Sequence, residues 1–297
     1  MNSDGVLNEI VAFLSGKSGD KVQIVRTTPV GGGCIHHATK VETTSGSYFL
    51  KWNDVCAGDL FEREAESLLE LKKAGAEDLV IPEVIHAGRA GEVPGFLLLE
   101  YLKPGHTRSQ EEQLGRGLAL LHRFSGETFG FYHDNYCGST LQDNAWCSNW
   151  AEFFARQRIE KIVTQISSSR PLSSDQMKIF SRLVLRIPEI LPVSVSPSLI
   201  HGDLWSGNYM MTERGPALID PASYYADREM EMGIMTMFGG FSERFWAAYN
   251  EVYPLEKEWR YRNRLYQLYH ILNHYLLFGG SYLLSAIDTA MYFTGKK

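Results

Sequence analysis

One stretch constrains the fold of this chain more than any other. It is Leu199-Ile200-His201-Gly202-Asp203-Leu204-Trp205-Ser206-Gly207-Asn208, followed by Ala217-Leu218-Ile219-Asp220-Pro221. Two apolar runs, each too short for a helix, end in polar loops, so each reads as a buried strand delivering side chains to one place. The first delivers Asp203 and, five residues later, Asn208; the second delivers Asp220. Two carboxylates and a carboxamide on such loops need a large body to hold them. The chain supplies one, with 297 residues, 44% of them hydrophobic and 22% charged. That composition excludes a disordered or collagen-like chain. With 29 Lys and Arg against 35 Asp and Glu, the formal charge is −6. An acidic chain is poorly suited to nucleic acid or an anionic membrane, so neither partner is expected.

The rest of the sequence divides near residue 103. Before it, a helix over residues 4–15 precedes extended runs at 22–28, 38–43 and 47–52, a helix at 59–74, and further strands at 84–87 and 96–102. After it, helical patterns cover 109–125, 147–169, 173–190, 227–250 and 256–275, interrupted by the two strands at 198–201 and 216–219. The expectation is an α+β fold of two lobes. Residues 1–102 form a small N-lobe of five antiparallel strands with a helix, and residues 103–297 a larger, mostly helical C-lobe. No charge occurs between Arg264 and Asp288, a length that could span a bilayer. Gln267, His270, Asn273 and His274 recur there at helical spacing and Gly279-Gly280 breaks the run, so it reads as a buried helix with one polar stripe. Four cysteines (Cys34, Cys56, Cys137, Cys147) without CxxC spacing fit a reducing, cytoplasmic setting.

The chemistry follows from three elements in order. Val30-Gly31-Gly32-Gly33-Cys34-Ile35-His36 lies between two strands, where glycines let backbone N–H groups approach phosphates; the alternative is a plain glycine turn. Lys51 ends a hydrophobic strand, and Glu64 on the next helix is the natural carboxylate to hold it. Then come Asp203, Asn208 and Asp220. Phosphoryl transfer needs a carboxylate to accept a hydroxyl proton and hard oxygen ligands to hold Mg²⁺ against phosphates. H-x-D-x-x-x-x-N followed by I-D supplies these in the order found in kinases, so the bilobal α+β fold is expected to be protein-kinase-like. Asp220-Pro221-Ala222-Ser223 runs almost directly into the next helix, leaving no room for a peptide-docking activation segment. The acceptor is therefore a small hydroxyl compound, or a small group carried on something larger.

At these residues the sequence resembles the aminoglycoside phosphotransferase and choline kinase superfamily. More narrowly it resembles the fructosamine-3-kinase (ketosamine-3-kinase) family. The narrow resemblance rests on residues 31–36, on His201 to Asn208 with Trp205 inside, and on Asp220-Pro221-Ala222. A middle segment adds Phe129-Gly130-Phe131, Asp134-Asn135-Tyr136, Gly138-Ser139-Thr140, Gln142, Asn144, Trp146, Trp150, Phe153-Phe154 and Arg158. The family's L-N-H-x-N becomes Leu272-Asn273-His274-Tyr275-Leu276 here, so only Asn273 and His274 match. The resemblance implies an enzyme using ATP and Mg²⁺ to phosphorylate the 3-hydroxyl of ketoamines, free or on protein lysines, which leads to deglycation. By carry-over Asp203 is the catalytic base and Asn208 and Asp220 hold Mg²⁺. Lys51 contacts phosphates and is positioned by Glu64, Gly31, Gly32 and Gly33 cover the phosphates, and Glu100, Tyr101 and Leu102 form the hinge that meets adenine. Two alternatives stay open: an aminoglycoside- or choline-type kinase, and a catalytically dead kinase fold that only binds.

On the acceptor side Trp205 either stacks on the sugar and its cationic amine or anchors its own loop. Glu229 and Glu231 are read as a solvated helix start rather than as acceptor carboxylates. Asn273 and His274 reach either the acceptor pocket or buried backbone. Trp146, Trp150, Phe153 and Phe154 read as core, and His122 as a satisfied core histidine. Cys34, in the glycine loop, is a candidate redox switch, so the chain is expected as a monomer or a Cys34-linked homodimer.

Overall fold

A computed structural model of the chain describes residues 3–31, 37–53, 58–88, 95–105 and 109–295. Strands β1 (Ile24–Pro29), β2 (His37–Thr43), β3 (Gly46–Asn53), β4 (Val84–Gly88) and β5 (Gly95–Glu100) form one antiparallel sheet in the order β1-β2-β3-β5-β4. Helix α1 (Ser3–Ser18) packs on one face and α2 (Leu60–Lys73) on the other. That is why β5 reads as an unbroken apolar run. Phe96 and Leu98 point to the core under α1, and Leu97 and Leu99 to the core under α2. The same alternation in β3 sends Leu50 and Trp52 to α1 and turns Lys51 toward α2.

The larger lobe is built around one core. Helices α3 (Gln110–Arg123), α6 (Ser174–Ile190), α7 (Glu229–Phe238), α8 (Glu243–Val252), α9 (Trp259–Phe278) and α10 (Tyr282–Thr294) all contribute buried apolar residues to it. Among the described residues no helix is long and apolar enough to cross a membrane. The uncharged run is instead split between α9 and α10 at Gly279 and Gly280, both at positive φ.

Two expectations about elements are corrected. The helix over 147–169 starts at Trp150 and contains a π turn. It comprises α4 (Trp150–Phe153), the π segment Phe154–Glu160 and α5 (Lys161–Ser169). Arg158 in the π segment is fully buried. Its guanidinium lies 4.0 Å from the Tyr224 ring centre and bonds Asp143 O and Asn144 Oδ1. The helix over 227–250 is two helices, broken where Gly239 and Gly240 take φ of 69° and 96°. A Cβ on Gly240 would lie 2.5 Å from Ser206 Cβ, so the break lets the chain pass beside the 203–208 loop. The two strands expected at 198–201 and 216–219 are both present, each paired with a further short strand. β8 (Ser198–Ile200) joins β11 (Tyr224–Ala226), and β10 (Gly215–Leu218) joins β9 (Tyr209–Thr212). A further hairpin, β6 (Asn135–Cys137) and β7 (Thr140–Gln142), lies in the middle segment. Strands of three or four residues are too short for alternation to reveal.

Candidate active site

The cleft between the sheet and the helical body holds a cavity of about 640 Å³. Its lining runs from Val30, Ala38 and Phe49 through Lys51, Asp203, Asn208 and Asp220 to Phe238, His274 and Tyr282. Three pieces of chain converge on its centre. Lys51 Nζ on β3 lies 2.8 Å from both oxygens of Glu64 on α2 and 2.9 Å from Asp220 Oδ1. Burial opposes the charge on Lys51, but the Asp220 and Glu64 carboxylates more than offset it, so its pKa is raised and it stays an ammonium. Burial pushes the Glu64 carboxyl upward.

Helix α2 is fixed against the larger lobe by its other polar residues. Tyr225 donates to Glu70 at 2.8 Å, Tyr136 donates to Asp59 at 2.8 Å, and Ser67 Oγ accepts from Ser223 N at 3.3 Å. The helix that carries Glu64 is therefore placed by the lobe that carries Asp220.

Asp203 and Asn208 form the second piece. Asn208 Nδ2 donates to Asp203 O at 2.8 Å and to Asp203 Oδ2 at 3.0 Å. Burial, with the negative Glu231 and Asp220 nearby, pushes Asp203 up to about 8. Asp220 itself adopts φ 56°, a left-handed conformation that a non-glycine residue takes only under constraint. The constraint is visible on both sides of it. His201 Nε2 donates to Ile219 O at 2.8 Å, and Ala222 N donates to His201 O at 2.9 Å. His201 Nδ1 in turn accepts from Asp203 N at 3.3 Å, so the neutral ring is locked between the two loops. Burial lowers its pKa accordingly. Gly202 is obligatory between them, since its φ is 86° and a Cβ would meet Ala222 O at 2.1 Å.

The residue that holds this loop is Glu231 on α7, and both readings given to it above are wrong. It is 1% exposed and accepts from His201 N at 2.5 Å, Gly202 N at 3.1 Å and Leu204 N at 3.4 Å. Burial works against its charge, yet interactions with His122 and His201 and these backbone donors keep its pKa below the ordinary value. Glu229 is also buried, clamped by Arg262 at 2.6 and 2.7 Å. Neither carboxylate is solvated and neither lines the cavity. His122 is buried as expected, with Nδ1 at 2.8 Å from Tyr249 Oη, while its Nε2 has no hydrogen-bond partner and stands 3.8 Å from Glu231.

The third piece is aromatic. Trp205 lies over Gly207, where a Cβ would meet its ring at 2.3 Å, and meets Phe238 edge-on at 6.3 Å. It is still 37% exposed and lines the cavity, so it packs on its own loop and leaves ring surface open to the cleft. His274 packs among Phe238, Phe278 and Tyr282, while Nδ1 pairs with His270 O. Asn273 also lines the cavity, but its amide is engaged by the β6–β7 hairpin. Its side chain accepts from Thr140 at 2.5 Å and donates to Cys137 O at 3.3 Å. Trp150, Phe153 and Phe154 are buried, whereas Trp146 is half exposed and is not core.

Glu100, Tyr101 and Leu102 all line the cavity beside Met210. Gly31 does so too; Gly32, Gly33 and Cys34 lie outside the described residues, as does the proposed link between chains. His36 lies outside them as well, and His37 stacks on Trp52 at 4.3 Å. Sequence reasoning missed Glu231, Phe238, Phe278, Tyr282 and Cys137. The last is the third residue of β6, buried, and within the cavity lining.

A small five-stranded lobe over a helical one, with Lys–Glu on one side and Asp–Asn–Asp on the other, defines the kinase-like phosphotransferase class. The aminoglycoside phosphotransferase APH(4)-Ia, solved with AMP-PNP and hygromycin B, shares that fold at TM-score 0.60, 16% identity and 96% and 95% coverage of the two chains. The "Putative fructosamine-3-kinase" of Haemophilus somnus superposes at TM-score 0.84 with 25% identity, covering 96% of each chain. The chloroplastic protein-ribulosamine 3-kinase of Arabidopsis thaliana is 38% identical over 281 residues, 91% of this chain and 83% of the relative. The family model for fructosamine kinase matches residues 6–292, and the chain belongs to that family.

Proposed function

We propose that this chain is an ATP-dependent kinase that phosphorylates the 3-hydroxyl of ketoamines, ribulosamine or fructosamine adducts on small amines or on lysine. The observation that carries this reading is the convergence of Lys51, Glu64 and Asp220 within 2.9 Å beside the hydrogen-bonded Asp203–Asn208 pair. The proposed boundary between the lobes lies between Leu102 and Lys103, shortly after β5 ends at Glu100.

The residues present suit a magnesium nucleotide. Asn208 and Asp220 offer hard oxygen ligands and Lys51 a fixed positive charge, and Glu100, Tyr101 and Leu102 line the same 640 Å³ cavity. When bound, Mg²⁺ neutralises charge on the transferring phosphate. Lys51 binds phosphate, and Glu64 orients Lys51. Asp203 accepts the proton of the acceptor hydroxyl. A cation beside it counteracts the burial that raises its pKa. His201 and Glu231 keep the backbone of Asp203 in place. Trp205, with Phe238 and His274 behind it, presents an aromatic face to the sugar and its protonated amine, a contact of about 0.5–2 kcal/mol. The lining of this end supports a ketoamine in preference to an aminoglycoside. Among the described residues it is aromatic, and Glu229 and Glu231 are committed elsewhere, so it lacks the carboxylates that several ammonium groups would need. A compartment that keeps thiols reduced, such as the cytoplasm, suits a chain with few cysteines.

The test is ATP consumption by the purified protein with ribulosyl-lysine, fructosyl-lysine and an aminoglycoside. Turnover on the ketoamines alone is expected. Turnover on the aminoglycoside alone would replace this reading.

A further inference from the structure

Grouped with the base are two residues that phosphoryl transfer does not require. Cys137 at the end of β6, Asp203, and His270 in the middle of α9 each place one ligand atom so that all three lie within 4.8 Å of one another. Cys137 and His270 are buried, at 2% and 1% exposure. Nδ1 of His270 is buried without a hydrogen-bond partner, an unusual state for a polar atom in a packed interior. Burial, with His274 beside it, also holds the ring neutral, so its nitrogen lone pair is not masked by a proton. Asn273 Nδ2 donates to Cys137 Sγ at 3.3 Å, the kind of contact that steadies a sulfur ligand from behind.

From this geometry we infer that Cys137, Asp203 and His270 form a binding site for a thiophilic divalent cation, Zn²⁺ in the first instance, whose occupancy switches the kinase off. Ligand bonds of about 2.0–2.3 Å in a tetrahedral site put ligand atoms roughly 3.5 Å apart, so the cluster has to contract by about 1 Å. Sulfur and imidazole nitrogen select zinc over magnesium, which prefers the oxygen ligands of Asn208 and Asp220. A thiolate and a carboxylate balance the 2+ charge in a buried place, the thiol proton leaving to solvent. Cys137 and Asp203 both line the cavity, so the cation enters from the cleft and keeps its fourth position there for water. Zinc held this way occupies the carboxylate that would accept the acceptor's proton. The inhibitory half of the inference rests on the kinase reading above; the binding half does not.

The experiment uses the full chain, stripped of metal and supplied with excess Mg²⁺. Zinc alone is titrated against a chromophoric chelator, and Co²⁺ is added in parallel to look for a thiolate-to-cobalt charge-transfer band. The parent should take up one equivalent of zinc, show the band, and lose at least about tenfold in turnover. Cys137→Ala and His270→Gln, each checked for parent-like circular dichroism, should bind zinc about 100-fold more weakly or worse, beyond what even indirect partners cost. The band should vanish in Cys137→Ala although the other three cysteines remain. Unchanged zinc affinity in either folded variant, or a band that survives Cys137→Ala, overturns the site. Inhibition that additional Mg²⁺ relieves equally in parent and variants overturns the switch, because it places zinc at the magnesium ligands. A protein that binds zinc as described yet turns over no ketoamine contradicts the kinase reading and leaves the binding result standing.

Discussion

The two ends of the cleft are built differently. At the end proposed for the phosphates, Lys51 on β3, Glu64 on α2 and Asp203, Asn208 and Asp220 on short loops are charged or amide groups fixed by hydrogen bonds of 2.8 to 3.0 Å. At the acceptor end, Trp205, Phe238, His274, Phe278 and Tyr282 come from a loop and three helices, and they touch through ring faces and edges 5 to 6 Å apart. Charged groups that do chemistry need one geometry, so they sit where few substitutions are possible. An aromatic wall tolerates sliding and repacking, so it can change with the acceptor while the phosphate end stays the same.

The largest effect that would sharpen this contrast is at Asp203. Asp203→Asn should keep ATP binding and lower kcat by about 10²-fold or more, since a base is lost and the shape kept. Isothermal titration with nucleotide and steady-state turnover on the same sample separate the two quantities. Asp220→Ala should act at the same end but through binding, abolishing the Mg²⁺-dependent part of nucleotide affinity. Equal nucleotide affinity with and without Mg²⁺ in the parent would break the assignment.

Glu231 tests whether the phosphate end depends on a residue that never touches substrate. Glu231→Ala leaves three backbone N–H groups of the 201–204 loop without an acceptor in the interior. Each buried unpaired donor costs about 1–3 kcal/mol, so a clear fall in Tm is expected together with a loss in kcat. Glu231→Gln, which keeps an acceptor oxygen, should recover part of both. Thermal melts of the two variants that coincide with the parent would show that the loop is held by something else.

The smallest effect belongs to the acceptor end. Trp205→Ala should raise KM for the ketoamine about 2- to 30-fold, corresponding to a cation–π contact of about 0.5–2 kcal/mol, and leave nucleotide affinity almost unchanged. Because Trp205 also packs on Gly207 beside Asn208, an equal loss for both substrates would assign it to loop packing.

The same contrast explains what the sequence disclosed. The phosphate end was readable because proton transfer and cation binding demand particular residue types at short spacings, and β5 was readable because burial on both faces leaves an unbroken apolar run. Glu231 escaped because two carboxylates at a helix start look alike whether solvated or buried; only the fold shows that the loop's N–H groups point at one and Arg262 at the other. The break between α7 and α8 was written as Gly239-Gly240 but could be justified only by the approach of Ser206. Phe238, Phe278 and Tyr282 carry no motif, since any apolar helix face offers such residues. Cys137 was noticed only for what it lacked, a CxxC partner, because its neighbours Asp203 and His270 lie 66 and 133 positions away.

The most direct measurement is the identity of the phosphorylated product. Fructosyl- or ribulosyl-lysine incubated with the protein, ATP and Mg²⁺ should give, by ³¹P–¹H correlation NMR, one phosphate ester on the sugar's O3, and Asp203→Asn should give essentially none. Phosphate at another hydroxyl, or ADP formed at the same rate without any ketoamine, would contradict the account.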